Sequence, residues 1–360
     1  MVAINTINLK ITRDSDIMIN KKISIKDIAK LTNTSITTVS FVLNGKGRIS
    51  KEITKKILDV AAKNGYEPNR MAVGLRTGVS KVIGLVVETI GGPFFGAMAK
   101  VIEEEAEKEG YRIIYCSTNN NIQKGKDVIR MLSQQLVDGY IVTPMKGLEK
   151  DIQNLVANEK PVVLIDGYFP GLDIPHVLVD NHGSAFNAVD HLLKAGYKKI
   201  GLITADLDLI QLQDRTRGYK DALKINDIKE DKRLIFKLPF DTDKDKAINA
   251  IKAFIKQQKQ MDAVFFTTNY LGTMGLESIR QLELNIPKDL AMISFDDNEI
   301  FNLYPPGITT IQQPTYEIAK SAIDLLLSQM SVDRHDISKI KLQIPSKLIE
   351  RGSTTEKNRF

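Results

Sequence analysis

The 360-residue sequence contains a single cysteine, Cys116. One cysteine excludes an internal disulfide framework and is typical of a protein from a reducing compartment. No apolar run approaches the roughly 18 residues of a membrane span, since the longest candidates, such as VIGLVV, are only strand-sized. The first twenty residues lack the apolar stretch of a signal peptide and are expected to be a disordered polar leader. These absences predict a cytoplasmic protein.

Catalytic motifs are equally scarce. The four histidines (His176, His182, His191 and His335) show no H-E-x-x-H motif and no paired metal spacing. No P-loop, G-x-S-x-G elbow or G-x-G-x-x-G fingerprint occurs, and Cys116 on a predicted strand fits a core position better than a nucleophile. We therefore expect no metal and no cofactor, and an enzyme is the weakest functional alternative.

The positive charge is confined to one segment. Residues 21–78 carry a net charge of +8, residues 1–20 are neutral, and residues 79–360 sum to −2. Such asymmetry indicates a surface for nucleic acid or another anionic partner. A solvated basic face with no partner is the simpler alternative on charge alone.

The basic segment opens with a predicted helix followed by a tight turn. Ser24 is a candidate N-cap, and Asp27 three residues later completes a capping-box pattern. Asn33 tolerates the left-handed backbone that a tight turn requires. Apolar or small residues recur at the spacing of one buried helix face, at Ile25, Ile28, Ala29 and Thr32.

Two more helices follow in the same segment. The second is predicted from about Ser35 to Leu43, where the sequence NGKG ends it, and Val39 and Val42 should pack inward. The third opens at Ser50, and its predicted buried face comprises Ile53, Ile57, Val60 and Ala61. Two short helices joined by a tight turn and supported by a third form the helix-turn-helix plan.

Residues 67–80, EPNRMAVGLRTGVS, have the composition of a linker. The segment is too short and too rich in glycine to persist as a helix alone. We expect it to become ordered only on contact with a partner.

Beyond residue 80 short apolar strands alternate with amphipathic helices. This alternation predicts parallel sheets covered on both faces, and the length favours two similar α/β subdomains. The predicted strands are KVIGLVV, RIIYCS, GYIVTP, PVVLID, HVLVD, KIGLIT, DAVFFT and LAMISFD.

In order and spacing, residues 24–78 resemble the headpiece and hinge of the lactose/galactose repressor (LacI/GalR) family of bacterial transcription regulators. GGPFF, DRTRGY, SFDD and PPGITTIQQP match later landmarks, so the resemblance covers about residues 22–353. It implies an all-α helix-turn-helix headpiece and an α/β core of two parallel-sheet subdomains, like that of periplasmic binding proteins. The implied boundaries are 1–20 leader, 21–66 headpiece, 67–80 hinge, 81–180 with 312–341 for the N-terminal subdomain, 181–311 with 342–353 for the C-terminal subdomain, and 354–360 tail.

The resemblance assigns DNA contacts to the second helix. Ile36 and Thr37 hold the positions that read bases, and Thr38 and Ser40 lie nearer the DNA backbone. Short hydroxyl side chains reach phosphates or base edges, although they could also merely cap or solvate the helix. Phe41 departs from the family, because many relatives carry an arginine there for a guanine contact, so different operator bases are expected. The remaining implied DNA contacts are Ser24, Ser35, Asn44, Asn69, Arg70 and Leu75.

Leu75, in the hinge, is the second feature of the sequence that indicates DNA binding. In the family, the hinge inserts a leucine into the minor groove and kinks the duplex, at an unstacking cost that extra contacts offset. A leucine between Gly74 and Arg76 has little structural reason to be apolar in a solvated linker.

The core resembles sugar-binding proteins whose ligand lies beyond the carboxyl ends of parallel strands. An arginine flanked by carboxylates and an amide, beside aromatic faces, suits a neutral polyhydroxylated ligand. Each such residue could instead be a structural cap or ion-pair partner. The candidate effector residues are Phe94, Phe95, Asp166, Arg215, Asn269 and Asp296.

Together these features predict a homodimeric DNA-binding repressor in the cytoplasm, associated with the nucleoid. It would bind a near-palindromic operator and sense a small molecule, most simply a sugar or sugar derivative. No heptad seam follows the core, which favours a dimer over a tetramer. A sugar-binding protein without a DNA role is the alternative, although the basic headpiece and missing signal peptide oppose it.

Overall fold

The computed structural model describes residues 23–67, 78–331 and 340–357. The chain divides into two compact units at residues 76 and 77. The described part of the first unit contains α1 Ile25–Thr32, α2 Ile36–Leu43 and α3 Lys51–Lys63. These bounds confirm the two short helices and the supporting third helix.

Local capping explains why α1 and α2 form where they do. Ser24 and Asp27 make a reciprocal capping box at the start of α1. Asn33 ends α1 with a φ of 55°, the left-handed conformation expected for the turn. Ser35 then caps α2 by accepting a hydrogen bond from the Thr38 backbone N–H at 3.0 Å.

A small apolar core joins the three helices. Its buried members are Ile28, Ala29, Val39, Val42, Ile57 and Ala61. Val39 and Val42 therefore pack inward as predicted. The prediction was wrong for Ile53, which is 37% exposed, and Val60 is only partly buried. Because α1 and α2 span only eight residues each, they cover α3 around Ile57 and not its first turn.

The second unit contains two six-stranded sheets. The first comprises β1 Val82–Val87, β2 Arg112–Ser117, β3 Gly139–Val142, β4 Val162–Ile165, β5 His176–Val179 and β11 Lys341–Ile344. The second comprises β6 Ile200–Ala205, β7 Ile235–Leu238, β8 Ala263–Phe266, β9 Ala291–Phe295, β10 Thr309–Gln312 and β12 Lys347–Ile349. The strand orders are β11-β5-β4-β3-β1-β2 and β12-β10-β9-β8-β6-β7. Every described pairing is parallel except that of β12 with β10.

Helices connect these strands, as the alternating pattern predicts. They are α4 Pro93–Lys108, α5 Ile122–Gln134, α6 Glu149–Ala157, α7 Asn181–Lys194, α8 Ile210–Ile225, α9 Lys244–Gln257, α10 Asn269–Gln281, α11 Glu299–Leu303 and α12 Thr315–Met330. Two short 3₁₀ helices cover Lys232–Leu234 and Gly352–Thr354. The fold class is confirmed: a helical headpiece and a core of two α/β subdomains.

All eight predicted strands are present, but β7, β10, β11 and β12 were not predicted. The chain crosses between the two sheets after β5, after β10 and after β11. One predicted boundary was wrong, because residues 342–344 pair with β5 in the first sheet and not with the C-terminal subdomain. Only Pro345 and Ser346 separate β11 from β12, and such short polar strands carry no signal for the sheet they join.

Candidate functional site

In the headpiece, α2 presents one outward stripe of side chains. Ile36 is 46% exposed and Phe41 is 44% exposed, while Val39 and Val42 are buried on the opposite side. The i, i+1, i+4, i+5, i+8 spacing puts the stripe on a single helix face. The stripe consists of Ile36, Thr37, Ser40, Phe41 and Asn44.

The polar residues of α2 divide between capping and the outward stripe. Ser35 and Thr38 share a hydrogen bond at 2.8 Å between their hydroxyls, which orders the first turn. The Asn44 amide donates to the Ser40 carbonyl at 2.6 Å and so closes the last turn. Thr37 is exposed near the helix start.

Phe41 contacts the turn that ends α2. A side-chain carbon at Gly47 would lie 3.1 Å from Phe41 Cδ2, and Gly47 has a φ of +85°. Glycine is therefore needed there both for space and for backbone conformation. The ring is held on the surface of the headpiece with nearly half of its area exposed.

The headpiece carries an excess of exposed basic residues. Eight lysines and arginines lie in residues 23–67 against four acids, and all eight are exposed. They are Lys26, Lys30, Lys46, Arg48, Lys51, Lys55, Lys56 and Lys63. An exposed basic surface beside a projecting helix is the arrangement that helix-turn-helix proteins use on DNA. The predicted hinge contacts Asn69, Arg70 and Leu75 lie outside the described residues.

In the core, polar side chains follow the carboxyl ends of strands in both sheets. Asp166 follows β4, Asn269 lies just beyond β8, and Asp296 follows β9 directly. A cleft opens between the two subdomains at these ends, the usual position of ligand sites in open parallel sheets. All six predicted effector residues line it, so the structure brings together Phe94, Phe95, Asp166, Arg215, Asn269 and Asp296.

Arg215 is the fixed centre of the cleft. It lies on α8, is 3% exposed, and its Nε donates to Asn181 Oδ1 at 2.8 Å. Its Nη1 donates to the Thr267 carbonyl at 2.6 Å, and the guanidinium stacks 3.5 Å from the centre of the Phe295 ring. These contacts hold the cation in one orientation between the two subdomains.

Two aspartates face this cation from opposite subdomains. Asp166 has a φ of 63° and Asp296 a φ of 65°, an uncommon strained conformation that clusters at functional sites. Burial raises the pKa of Asp166 to about 7, Arg215 opposes that rise, and the charges of Asp296 and Glu88 add to it. Burial also raises the pKa of Asp296, while Arg215 and Gln313 favour its charged form. Both carboxyls are therefore held in an environment that disfavours unpaired negative charge.

Both parts of the chain match known protein families. Residues 24–69 match the lacI family of bacterial regulatory proteins, and residues 189–354 match a periplasmic binding protein-like domain. The ribose operon repressor of Haemophilus influenzae is 31% identical over 310 residues, which are 85% of this chain and 92% of that protein. The transcriptional regulator KdgR of Bacillus subtilis is 31% identical over 92% of this chain and 97% of its own.

The chain belongs to the LacI family. It is a DNA-binding transcription regulator and not an enzyme. The matched DNA-binding domain excludes the alternative of a sugar-binding protein without a DNA role. The lac repressor dimer bound to operator and the anti-inducer ONPF has the same fold, with a TM-score of 0.80 at 19% identity over 93% of this chain and all of that one. A LacI-type regulator from Alkaliphilus metalliredigens, complexed with D-xylulofuranose, has a TM-score of 0.66 at 27% identity over 76% of this chain and 99% of that one.

Aromatic side chains wall the cleft of this LacI-family protein on both sides. The Phe94 and Phe95 rings meet edge to face with centroids 5.0 Å apart, and Phe95 is the more buried of the two. Across the cleft, Phe240 and Tyr270 make a second edge-to-face pair at 6.1 Å. Aromatic faces of this kind pack against the apolar face of a sugar ring or a similar ligand.

Sequence reasoning missed several residues of the cleft. Glu88 at the end of β1 and Gln313 at the end of β10 occupy strand ends, so the rule that found Asp166 could have found them. Gln211 on α8 carried no such signal. It donates to Asp166 Oδ2 at 3.1 Å across the cleft. Phe240 and Tyr270 also line the cleft and were missed.

Within the residues that the structure describes, no group of three or more histidine, cysteine or acidic side chains is placed to hold a metal ion. In the same residues, no helix is both long and apolar enough to cross a membrane.

Proposed function

We propose that the protein is a homodimeric repressor whose affinity for a near-palindromic operator is set by a sugar or sugar derivative in the core cleft. Acting on bacterial DNA, it would work in the cytoplasm. One observation carries the effector proposal. Arg215 lies between two aspartates, beside an amide and two aromatic pairs, in one cleft of about 630 Å³ including its mouth.

The donors and acceptors of this cleft suit hydroxyl groups. Each sugar hydroxyl donates one hydrogen bond and accepts others, so it pairs with a carboxylate on one side and an amide or guanidinium on the other. Asp166, Asp296, Arg215 and Asn269 supply both kinds of partner. The binding of cellobiose and of D-xylulofuranose by two structural relatives supports the same ligand class.

On the DNA side, we propose that the exposed stripe of α2 enters the major groove. Ile36, Thr37 and Phe41 would contact base edges, and the Phe41 ring would make an apolar contact where relatives use an arginine. Ser24, Ser35, Thr38, Ser40 and Asn44 would contact the DNA backbone, as would Asn69 and Arg70 at the start of the hinge. Helix N-termini such as that at Ser35 favour phosphate groups.

The two functions are connected by linkage. A sugar that binds one relative orientation of the core subdomains more tightly than another shifts the population toward it. If only one orientation lets both headpieces of the dimer fit the operator, the sugar and the operator change each other's affinity reciprocally.

The test begins with an operator selected from random duplexes. We expect binding of the full-length protein to fall linearly on a log–log plot of affinity against salt, by about 10³-fold between roughly 50 and 200 mM for six phosphate contacts. Fluorescence anisotropy measures the slope. Neutral sugars are then added to the complex, and one of them should release or tighten it.

The controls separate the two halves of this proposal. A duplex without the operator should bind more weakly, with the affinity carried mainly by the salt-dependent part. A flat salt dependence would contradict the DNA contacts, and indifference of the complex to every sugar would contradict the effector class. Sedimentation of the free protein as a monomer at micromolar concentration would contradict the dimer.

Leu75 is predicted to be the wedge that kinks the operator. Leu75→Ala should weaken operator binding by about tenfold or more, because the unstacked base step loses its apolar filler. DNA bending, measured by energy transfer between the duplex ends, should decrease while dimerisation stays unchanged.

Val79→Ala provides the matched control for the Leu75 variant. Val79 is an apolar residue near the end of the hinge and is 44% exposed, and its truncation should alter neither affinity nor bending. Equal affinity of the Leu75→Ala and wild-type proteins would refute the wedge.

A further inference from the structure

The charges that line the cleft are unbalanced. Glu88, Asp166 and Asp296 are acidic, and Arg215 is the one cation among the described residues that line the cleft. When ionised, the three carboxylates leave the site with two uncompensated negative charges. A ligand that brings another negative charge would enter an unfavourable field.

The guanidinium of Arg215 does not offer the cleft two free, parallel N–H donors. Its Nε and Nη1 already donate to Asn181 and to the Thr267 carbonyl, and its face lies on Phe295. Only Nη2 lacks an acceptor among the described residues. Tight recognition of a carboxylate or phosphate by arginine usually uses two parallel hydrogen bonds from a free fork. Because two of its three nitrogens already donate within the protein, the guanidinium is better suited to a hydrogen bond with a single ligand oxygen than to a paired contact with an anion.

One further polar group of the cleft, at the end of β10, contains an acceptor without a donor. Gln313 is 6% exposed, and its Nε2 donates to Asp296, which fixes the amide. Its Oε1 is buried with no donor among the described residues. A buried acceptor without a donor is costly, so a ligand that offers a donor would satisfy it. A ligand hydroxyl can supply that donor, so this acceptor favours hydroxyl-rich ligands, while discrimination against anionic sugars depends on the charge of the cleft.

Glu88 differs from the two aspartates in its electrostatic neighbours. Arg215 stabilises the charged forms of both Asp166 and Asp296. Burial raises the pKa of Glu88, Asn120 opposes that rise, and Asp296 adds to it. Each aspartate also accepts a hydrogen bond from a glutamine amide, and no such bond to Glu88 is present among the described residues. When it is ionised, Glu88 is therefore the carboxylate of the cleft whose charge its neighbours offset least.

We propose that the cleft accepts uncharged, hydroxyl-rich sugars and rejects sugar acids and phosphorylated sugars, and that Glu88 is the residue that sets this discrimination. The inference rests on the proposed sugar-sensing function and narrows its ligand class. Asp166, Asp296 and Gln313 accept from the ligand hydroxyls. Glu88 repels anionic substituents.

The test is a calorimetric titration of wild-type and Glu88→Gln proteins with matched sugars. The probes are D-ribose, D-xylose and D-glucose, together with D-ribose 5-phosphate, D-glucose 6-phosphate and D-gluconate. We expect the tightest neutral sugar to bind wild type at least about tenfold better than its charged counterpart. Glu88→Gln keeps the shape but removes the charge, and should narrow that gap by about tenfold.

Glu104→Gln is the matched control, because Glu104 is an exposed carboxylate on α4 whose side chain retains 60% of its exposure. We expect the Glu104→Gln protein to prefer neutral over charged sugars to the same extent as wild type. The wild-type panel remains informative even if Glu88→Gln fails to fold, which circular dichroism would show.

The possible failures are distinct. Equal or tighter wild-type binding of a phosphorylated or acidic sugar overturns this inference and leaves sugar sensing intact. If a folded Glu88→Gln protein shows the same ratio of affinities for neutral and charged sugars as wild type, the role of Glu88 is overturned. Binding of none of the six probes by wild type overturns the proposed sugar class and the inference with it.

Discussion

Arg215→Met should lower the free energy of unfolding of the core by about 3–5 kcal/mol at pH 8 and abolish effector binding. The substitution keeps much of the buried volume but removes the charge that faces Asp166 and Asp296. It also leaves Asn181 Oδ1 and the Thr267 carbonyl without their donors. Urea unfolding followed by circular dichroism measures the loss, and titration with the sugar that binds wild type measures the ligand effect.

The stability loss should depend on pH in a definite direction. Because the pKa of Asp166 is raised to about 7, the folded state binds its proton more tightly than the unfolded state does. The unfavourable buried charge is therefore present above that pKa and fades as the carboxyl is protonated at lower pH. Without the arginine the folded-state pKa rises further. The difference in stability between wild type and Arg215→Met should be clearly smaller at pH 5 than at pH 8.

Arg217→Met is the control for this experiment. Arg217 lies two residues away on α8, pairs with Asp214 at 2.9 Å, and its side chain is 63% exposed. Such a surface pair is worth about 0–1 kcal/mol, so the variant should retain both its stability and its ligand. Equal losses of stability in the two variants would contradict the role assigned to Arg215. A stability loss in Arg215→Met that does not change with pH would contradict it as well.

Ile57→Ala should unfold most of the headpieces and abolish operator binding while the core stays folded. Ile57 is fully buried in a core of only six buried residues. Truncation of a buried isoleucine costs about 2–5 kcal/mol. A domain of this size has a total stability of roughly 2–7 kcal/mol, so the loss removes most or all of it. Operator affinity is measured by anisotropy, and headpiece folding by susceptibility to a protease.

Leu58→Ala tests whether burial is the cause. Leu58 is the next residue of α3 but is 46% exposed, so its truncation should be nearly neutral for folding. Because the core forms a separate compact unit, its thermal transition and its sugar affinity should be unchanged in both variants. A core transition that moves together with headpiece unfolding would show that the two units do not fold independently.

The headpiece was predictable from sequence because its determinants are local. The capping box links Ser24 to a residue three positions away, and Ser35 caps through Thr38 at the same separation. Its apolar residues recur at the helical period, so the buried side is visible without knowledge of the partner helix. The prediction failed at Ile53 because the burial of that residue depends on how far α1 and α2 extend along α3.

In the core, the strand-end rule found Asp166, Asn269 and Asp296 because chain direction alone places the carboxyl ends of parallel strands at one edge. The two phenylalanines came from the GGPFF motif after a strand, and Arg215 came from the resemblance of DRTRGY to the family. The rule did not reveal which side chains would meet there. Gln211 bonds to a residue 45 positions earlier, and Phe240 pairs with Tyr270 across separate elements. Contacts of this kind depend on how distant elements pack, which no local pattern records.

The sequence by itself therefore determined the helix-turn-helix headpiece, the alternating α/β core and the presence of one cation among acidic strand ends. Only the tertiary structure decided that β11 joins the first sheet and that Arg215 is already committed to Asn181 and Thr267. It also decided that Glu88 adds a third carboxylate to the cleft. Helices and strands follow from contacts within a few residues, whereas the electrostatic balance of the cleft depends on side chains that folding brings together from most of the core.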